Sequence, residues 1–157
     1  MSRTTRATQA LTAAGVSFTT VTYDYDPGAD RVGLQAAEAL GVSANIVLKT
    51  LMVELDGKPV CVVVPSDHEV SMKRLAAAFG GKSAHMMRPA DAERLTGFVV
   101  GGISPFGQKR KVPTAIEQAA LAHALVYMNG GQRGLQVRLA PADAQKALQA
   151  IAAPLVA

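Results

Sequence analysis

The sequence contains no tryptophan, a single cysteine and few aromatic residues of any kind. Because Cys61 stands alone, the chain can form no internal disulfide and no thiolate cluster around a metal. Aromatic residues make up 4% of the chain, too few for the stacked rings that bind single-stranded nucleic acids without sequence preference. No apolar run approaches the roughly 18 residues of a membrane-spanning helix, and the polar start is unlike a secretory signal. These absences predict a cytoplasmic protein that binds no membrane.

The chain has 157 residues, 49% of them hydrophobic, and a net charge of +4. A folded chain of this length buries about 70% of the surface that its unfolded form exposes, so one core is enough. We therefore predict a single domain over residues 1–157. Positive charge is concentrated in the run Gln108-Lys109-Arg110-Lys111. Such a run attracts phosphate groups, although it is more often a solvated face.

Helix and strand signals are interleaved along the chain. Alanine-rich segments followed by glycine, and Pro-Ala-Asp sequences at Pro89 and Pro141, predict helices at 3–14, 33–40, 71–79 and after each proline. Runs rich in β-branched residues predict strands at 17–23, 46–55, 60–64, 125–128 and 135–139. Asp56-Gly57 and the glycine-rich segment 129–134 predict two hairpins, which require antiparallel pairing. The predicted fold class is therefore α/β, with a mixed, largely antiparallel sheet surrounded by helices.

Lys49 is the most informative single residue. Side chains alternate between the two faces of a strand, so Lys49 shares the more apolar face with Val47, Leu51 and Val53. An ammonium group on such a face must find partners, reach solvent at the rim of a cleft or shift its pKa. A lysine whose stem packs on the sheet while its head extends into solvent explains the pattern equally well.

A second candidate is the bend Gly101-Gly102-Ile103-Ser104-Pro105-Phe106-Gly107. Paired glycines permit conformations in which consecutive amide groups converge on an anion, and such donors stabilise the charge that develops on a carbonyl oxygen during acyl transfer. An ordinary turn has the same composition. The bend is not a phosphate-binding P-loop, because Gln108 stands where a lysine is required. Ser104 precedes a proline and favours extended backbone, which argues against a nucleophilic serine.

The other reactive side chains form no catalytic pattern. Cys61 lies within a run of valines, where a thiol behaves as a small buried hydrophobic group. His68, His85 and His123 are far apart and form no ligand motif, so we predict no metal. The segment Tyr23-Asp24-Tyr25-Asp26 places two phenols near two carboxylates at a strand end, as a binding rim or a turn would.

Four segments occur in a recognisable order and spacing: Tyr23-Asp24 with Pro27, Leu48-Lys49-Thr50-Leu51, the stretch 100–107 and Gly130-Gly131-Gln132-Arg133-Gly134. Each is ordinary alone, but together they resemble the YbaK/EbsC family of trans-editing aminoacyl-tRNA deacylases, and specifically its Cys-tRNA(Pro) branch. The resemblance extends over almost the whole chain. It implies a compact α/β domain with a barrel-like central sheet, related to the editing domain inserted in bacterial prolyl-tRNA synthetases.

The resemblance also implies an activity. Members release a wrongly attached amino acid from tRNA, and in this branch the substrate is tRNA(Pro) that prolyl-tRNA synthetase has charged with cysteine. The substrate's own thiolate attacks the ester carbonyl, forms a cyclic thiolactone and frees the tRNA, so neither a protein nucleophile nor a cofactor is implied. An intramolecular thiol has a large effective concentration, so positioning and carbonyl polarisation are sufficient. The implied partners are aminoacyl-tRNA and prolyl-tRNA synthetase.

The family's functional positions correspond to particular residues of this chain. The implied catalytic residues are the family lysine, Lys49, and the oxyanion loop, Gly101, Gly102 and Ser104. The implied substrate-binding residues are Tyr23, Thr50, Ile103, Pro105, Phe106, Gly130 and Gly131. The implied tRNA-binding cations, which would contact the acceptor stem, are Lys109, Arg110, Lys111 and Arg133.

Several positions depart from the family's common residues. Tyr25 stands where many members have histidine, Phe106 where several have leucine, Gln132 where lysine is common, and Gln136 replaces a carboxylate seen in some. Related branches remove alanine or serine, and a pocket distinguishes small side chains by only about 1–3 kcal/mol per methylene. Two alternatives therefore stay open: deacylation of Ala-tRNA(Pro) or another small aminoacyl-tRNA by water, and a tRNA- or nucleotide-binding module without catalysis.

Overall fold

The computed structural model describes residues 4–28 and 32–157, and within them it has five α-helices and eight β-strands. The helices are α1 (Arg6–Ala13), α2 (Val32–Leu40), α3 (Met72–Ala78), α4 (Pro89–Thr96) and α5 (Pro141–Leu148). The strands are β1 (Thr19–Thr22), β2 (Leu48–Leu55), β3 (Lys58–Pro65), β4 (Ala84–Met86), β5 (Thr114–Glu117), β6 (Val126–Asn129), β7 (Leu135–Leu139) and β8 (Ile151–Ala153). No helix in these ranges is long and apolar enough to cross a bilayer.

The strands form two sheets. The smaller has the order β1-β7-β6 and the larger the order β4-β2-β3-β5-β8. Four of the pairings are antiparallel, whereas β3 with β5 and β5 with β8 are parallel. The predicted α/β class with a mixed, largely antiparallel sheet is therefore confirmed.

The barrel-like closure implied by the resemblance needs one correction. A closed barrel requires a continuous hydrogen-bonded ladder around the sheet, and here β4 and β8 are the outer strands of the larger sheet. An isolated parallel bridge between Val47 and Tyr127 links the two sheets beside β2. The strands consequently form two sheets joined at one corner, and the candidate site described below lies near that corner.

The hairpin of β2 and β3 confirms the turn that the dipeptide Asp56-Gly57 predicted. Both turn residues have positive φ angles, 50° for Asp56 and 81° for Gly57, as a type I′ turn requires at its two central positions. The turn fixes a register in which Lys49 lies opposite Val64. Lys49 therefore lies at the end of the hairpin that is distant from the turn.

Strand β3 is buried on both faces, which makes it the centre of the core. Cys61 and Val63 pack into a cluster with residues of α1, α4 and α5. Val60, Val62 and Val64 pack on the opposite face with residues of α3. The valine-rich run thus holds helices on both sides of the larger sheet.

The structure differs from the predicted element boundaries in several places. The strand expected from Ile46 begins at Leu48, because Ala44–Ile46 forms a 3-10 turn. Helix α1 begins at Arg6, after a capping box between Thr5 and Thr8, and the expected start at residue 3 lies outside the described residues. Strands β4, β5 and β8 were not predicted.

Candidate functional site

A cavity of about 320 Å³ opens where several elements meet at the distal end of the β2–β3 hairpin. It is lined by the first residues of α2 and β2, by the segment that follows β3 and by one side chain each from β6 and β7. Part of residues 99–103, which form the glycine bend of this structure and overlap the start of the predicted bend, completes the lining. Four of the predicted site residues line this cavity, namely Lys49, Thr50, Gly101 and Ile103. The lysine and the glycine bend, 52 positions apart in sequence, therefore face one hollow.

The Lys49 side chain reaches the cavity because it lies at the start of β2, beyond the apolar residues on the same face of the strand. Leu51, Val53 and Leu55 on the same face pack against α3, and the strand end places Lys49 beyond this cluster. The Lys49 side chain is 21% exposed, and its Nζ lies 3.9 Å from Oε1 of Glu69. The ammonium group thus lies at the wall of a cleft beside a carboxylate, rather than in bulk solvent.

The glycine bend is fixed by hydrogen bonds to the β6–β7 hairpin. Gly101 has a φ of 91°, and its carbonyl accepts a 3.0 Å bond from Nδ2 of Asn129. The N–H of Gly102 donates to the carbonyl of Val99 at 2.8 Å, and a Cβ on Gly102 would lie 2.9 Å from the backbone nitrogen of Arg133. The Gly102 amide is therefore used within the bend, and this glycine permits close packing.

Two other amides of the bend keep their hydrogen-bonding capacity. Within the described residues, the N–H groups of Gly101 and Ile103 make no hydrogen bond, and both residues line the cavity. Thr50 contributes a further polar group, because its Oγ1 is buried without a hydrogen-bond partner in the described part of the chain. The cavity consequently combines one ammonium group with several donors at its wall.

The residues that follow the bend point elsewhere. Ser104 is fully buried, its Oγ accepts a 3.1 Å bond from the N–H of Phe106, and its carbonyl accepts from the side chain of Gln108 at 3.0 Å. Pro105 and Phe106 line a separate cavity between α1 and α5, and Phe106 packs in the core. The structure thus places Ser104, Pro105 and Phe106 away from Lys49, where they support the bend.

Tyr23 lies behind the cavity wall. It is 9% exposed and packs with residues of α2 and with Tyr127. Burial and the neighbouring Tyr25 raise the pKa of the Tyr23 hydroxyl, against the opposing effects of Gly134 and the side chain of Gln136. Gln136 itself lines the cavity, so Tyr23 is one side chain removed from it and stays a neutral phenol at neutral pH.

The turn between β6 and β7 supports the bend from outside. Oδ1 of Asn129 accepts from the N–H of Gly131 at 2.7 Å, and the carbonyl of Gly130 accepts from Oγ1 of Thr5. Nε of Arg133 donates to the carbonyl of Val100 at 2.9 Å. Neither Gly130 nor Gly131 lines the Lys49 cavity. In this structure the two glycines belong to the turn that supports the bend.

Arg133 is the predicted tRNA-binding cation that lies closest to the bend. Its guanidinium group stands over the ring of Tyr25, 5.4 Å from the centroid, within the range of a cation–π contact. A Cβ on Gly101 would lie 2.6 Å from the Tyr25 hydroxyl. The hydroxyl can therefore lie this close to the bend because residue 101 has no side chain. Tyr25 and Arg133 thus pack against Gly101 and Val100 of the bend, although neither of them lines the Lys49 cavity.

The basic run 109–111 lies on other surfaces. Lys109 and Arg110 line a second cavity with Glu54, and Nζ of Lys111 bonds Oε1 of Gln149. Lys49 and Glu54 are five positions apart on β2, so they face opposite sides of the sheet, about 17 Å apart along the strand. Any nucleic acid that contacts both regions must therefore extend along the molecule.

The polar or glycine cavity residues that the sequence analysis did not single out include Gly33, Ser66, Glu69 and Asn129. Asn129 was detectable as an Asn preceding Gly-Gly at a strand end, a position where a side-chain amide often bonds the turn. Gly33, Ser66 and Glu69 give no such local signal, because the tertiary fold brings them together. Among the described residues, no three His, Cys, Asp or Glu side chains form a group that would hold a metal.

Comparison with known proteins identifies the family of this chain. Residues 26–147 match the family described as the aminoacyl-tRNA editing domain. The chain belongs to this family. The family assignment confirms the resemblance derived from the four sequence segments, and the matched range contains every element that lines the Lys49 cavity.

Two sequence relatives and one solved structure show what this chain is similar to. The chain is 35% identical to the Enterococcus faecalis protein "Putative Cys-tRNA(Pro)/Cys-tRNA(Cys) deacylase EbsC", over 76% of this chain and 74% of that protein. It is 36% identical to a proline–tRNA ligase of Nitratidesulfovibrio vulgaris, over 52% of this chain but 14% of the ligase. A solved structure described as "a putative trans-editing enzyme for prolyl tRNA synthetase" superposes with a TM-score of 0.82 at 22% identity, covering 99% of both chains, and this likeness shows the shared fold.

Proposed function

We propose that this editing domain acts in trans as a deacylase that releases cysteine from mischarged Cys-tRNA(Pro). The observation that carries the proposal is the shared cavity, which is lined by Lys49 together with Gly101 and Ile103, two residues whose N–H groups make no hydrogen bond in the described part of the chain. An aminoacyl ester at the 3′ end of tRNA has a phosphate and a carbonyl that would suit these groups. The printed name of the Enterococcus faecalis relative supports cysteine as the amino acid.

The reaction needs no nucleophile from the protein. Burial raises the pKa of the Cys61 thiol to about 12, although Gln108 and Thr114 oppose this rise, so the thiolate is not formed at neutral pH. Ser104 is buried and hydrogen-bonded, and Ser66 Oγ donates to the carbonyl of Val47 at 2.5 Å. The side chains that would be obvious nucleophiles are therefore buried or engaged.

The substrate thiol supplies the nucleophile in this proposal. Its sulfur forms a bond to the ester carbonyl carbon, the bond from that carbon to the ribose oxygen breaks, and the thiol proton ends on the ribose hydroxyl. The products are a four-membered cysteine thiolactone and free tRNA. Lys49 holds the terminal nucleotide and the ester in place, while the amides of Gly101 and Ile103 polarise the carbonyl, which keeps the reacting atoms in contact.

The contacts that select the tRNA lie largely outside the cavity. Arg133 beside the glycine bend and the run 109–111 would contact phosphates of the acceptor stem, and these contacts give affinity without sequence readout. We therefore propose prolyl-tRNA synthetase as the partner that supplies tRNA(Pro), in agreement with the similarity to part of a proline–tRNA ligase.

A second candidate is deacylation of Ala-tRNA(Pro) by water. The buried, unpartnered Oγ1 of Thr50 at the cavity wall favours it within the described structure, because a hydroxyl group in that position can hold a water molecule near the ester. Alanine has no thiol, so this reaction gives free alanine and no thiolactone.

The test compares release of tRNA from Cys-tRNA(Pro), Ala-tRNA(Pro) and Ser-tRNA(Pro) by the wild type and by Lys49→Ala. We expect fastest release of cysteine, a trapped thiolactone, and a loss of about 100-fold or more in kcat/KM in Lys49→Ala, because an electrostatic contact to the ester is removed. Lys58→Ala, which changes an exposed lysine at the other end of the same hairpin, is the matched control and should match the wild type.

Other results would change the assignment. Faster release of alanine without thiolactone would favour the water reaction. Tight binding of tRNA with no release of any amino acid would indicate a binding module, and full activity of Lys49→Ala would remove Lys49 from the mechanism.

A further inference from the structure

The glycine bend is attached to the β6–β7 turn through the side chain of Arg133. Nε of Arg133 donates a 2.9 Å hydrogen bond to the carbonyl of Val100, and the guanidinium group stands over the ring of Tyr25. Arg133 does not line the Lys49 cavity, whereas Val100 and Gly101 do. The guanidinium group therefore holds the bend from outside the cavity.

The Val100 carbonyl and the Gly101 N–H belong to one peptide group. This group is trans, so its carbonyl and its N–H point in opposite directions. Because the carbonyl points to Arg133, the N–H points away from Arg133, towards the cavity that Gly101 lines. The same N–H makes no hydrogen bond within the described residues. The arginine thus sets the direction of a donor that it does not itself contact.

The turn that contains this peptide group can adopt two forms. Residues 99–102 form a β-turn, closed by a 2.8 Å hydrogen bond from the N–H of the last residue to the carbonyl of the first. Gly101 occupies the third position with a φ of 91°, as in a type II turn. A type I turn joins the same ends with the central peptide group turned over, and glycine permits both forms. The bond from Arg133 to the Val100 carbonyl favours the type II form.

We propose that Arg133 is a positioning residue that keeps the Gly101 N–H directed into the Lys49 cavity, where this N–H donates to the carbonyl oxygen of the aminoacyl ester. The inference rests on the proposed function for its substrate, and it gives Arg133 a role beyond contact with phosphate. A cation at the carbonyl also polarises the peptide group, which makes the N–H at the other end a stronger donor. Without this bond the peptide group turns over and presents the Val100 carbonyl to the ester, where it repels the developing negative charge.

The test uses two substitutions that separate the charge of Arg133 from its hydrogen bond. In Arg133→Gln the side-chain Nε2 takes the position of the arginine Nε along the chain, so the bond to Val100 is retained without the charge. In Arg133→Lys a methylene group stands at that position, so the charge is retained without the bond. The substrates are Cys-tRNA(Pro) and cysteinyl-adenosine, which has no phosphate.

We expect Arg133→Lys to lower kcat by about tenfold or more on both substrates, because one oriented donor to the ester carbonyl is lost. Arg133→Gln should keep kcat within about threefold, since a neutral hydrogen bond is weaker than a charged one, and should raise KM for Cys-tRNA(Pro) alone. Arg138→Lys makes the same change at an exposed arginine on β7. It is the matched control and should behave as the wild type.

An NMR measurement reads the peptide group without any turnover. The Val-Gly dipeptides of the chain are residues 32–33 and 100–101, so 13C in the valine carbonyl and 15N in glycine together mark the amides of Gly33 and Gly101. The Gly101 amide should shift in Arg133→Lys and stay near its wild-type position in Arg133→Gln, because the N–H responds to the bond at the carbonyl of the same peptide group. The Gly33 amide is the internal reference.

The outcomes separate this proposal from the proposed function. An unshifted Gly101 amide in Arg133→Lys overturns the proposal, and so does wild-type kcat of that variant on cysteinyl-adenosine. Loss of activity on Cys-tRNA(Pro) alone, in Arg133→Gln but not in Arg133→Lys, would show that the arginine acts through its charge and overturns it too. If the amide shifts as expected but the wild type deacylates no aminoacyl-tRNA, the proposed function fails and the positioning of the N–H stands. Normal deacylation with an unshifted amide has the opposite meaning.

Discussion

Gly33 brings helix α2 into direct contact with the end of β3. A Cβ at this position would overlap Oγ of Ser66 and lie 2.8 Å from the Ser66 Cβ. Ser66 cannot rotate away without cost, because its Oγ donates to the carbonyl of Val47. The missing side chain therefore lets the start of α2 close one wall of the Lys49 cavity.

Gly33→Ala should move α2 outward and lower kcat/KM by about tenfold or more, because small displacements of a positioning wall are costly to catalysis. Helix propensity acts in the opposite direction, since alanine favours a helix by about 1 kcal/mol over glycine. Deacylation kinetics together with Tm separate the two effects. Ser66→Gly in the same chain removes the overlapping side chain and should restore part of the lost activity. Equal losses in the single and double variants would contradict this contact.

At the level of single residues, the sequence predicted which face of a strand a side chain occupies better than it predicted which distant residues that side chain contacts. Alternation along β2 correctly placed Lys49 with Leu51 and Val53, because that pattern is local. The sequence could not predict that the Gly102 N–H donates within the bend to Val99, since the conformation of the bend depends on Asn129 and Arg133, which lie about thirty positions further along the chain. Glu69 was overlooked because only the folded chain brings it beside Lys49.

At the level of elements, Glu117 links the end of β5 to the chain terminus. The residue is 3% exposed, its Oε1 accepts from the N–H groups of Leu155 and Val156 at 2.8 and 3.1 Å, and its Oε2 accepts from Ala119 at 2.9 Å. The same terminal segment bonds the backbone of Glu69. Glu117 therefore stabilises, through β8 and the terminus, the segment that forms one wall of the cavity.

Burial alone would raise the pKa of the Glu117 carboxyl, but the three backbone donors and the charge of Arg74 outweigh it, so the pKa lies below its usual value of 4.5. The unfolded chain therefore binds this proton at higher pH than the folded chain. The stability from Glu117 is complete above pH 4.5 and is lost as the pH falls through the lower folded value.

Glu117→Gln should lower the free energy of unfolding at pH 7 by about 1–3 kcal/mol, because the amide is a poorer acceptor for the buried N–H groups. Below pH 4.5 the difference between variant and wild type should shrink. Urea unfolding at several pH values measures both effects. Glu38→Gln changes an exposed carboxylate on α2 and should alter neither. A constant difference at all pH values would show that ionisation of Glu117 is not responsible.

Two of the three strands that the sequence missed share a physical property. Strands β5 and β8 have four and three residues, and each pairs in parallel with a strand distant in sequence. All four residues of β5 are buried, so it lacks the alternation that marks a strand exposed on one face. The hairpins, by contrast, carry their signal in their own turns, and both were predicted.

At the level of the whole molecule, the positive charge is divided between two regions. The chain has 16 Lys and Arg against 12 Asp and Glu. Arg133 lies beside the glycine bend that lines part of the Lys49 cavity, while Lys109 and Arg110 lie at the second cavity. If a tRNA acceptor stem extends from the first region to the second, the distant cations affect binding without touching the reacting ester.

The double variant Lys109→Ala/Arg110→Ala should therefore raise KM for aminoacyl-tRNA with little change in kcat. The slope of log KM against log salt concentration should fall by about 0.9 for each duplex phosphate contact removed. An aminoacyl-adenosine, a single nucleoside that cannot span the separation of about 17 Å along β2, should be deacylated at the wild-type rate. Lys146→Ala, an exposed lysine on α5, controls for the loss of net charge. If the salt slope stays at its wild-type value in the double variant, the acceptor stem leaves the cavity in another direction, and Arg133 is then the cation to change next.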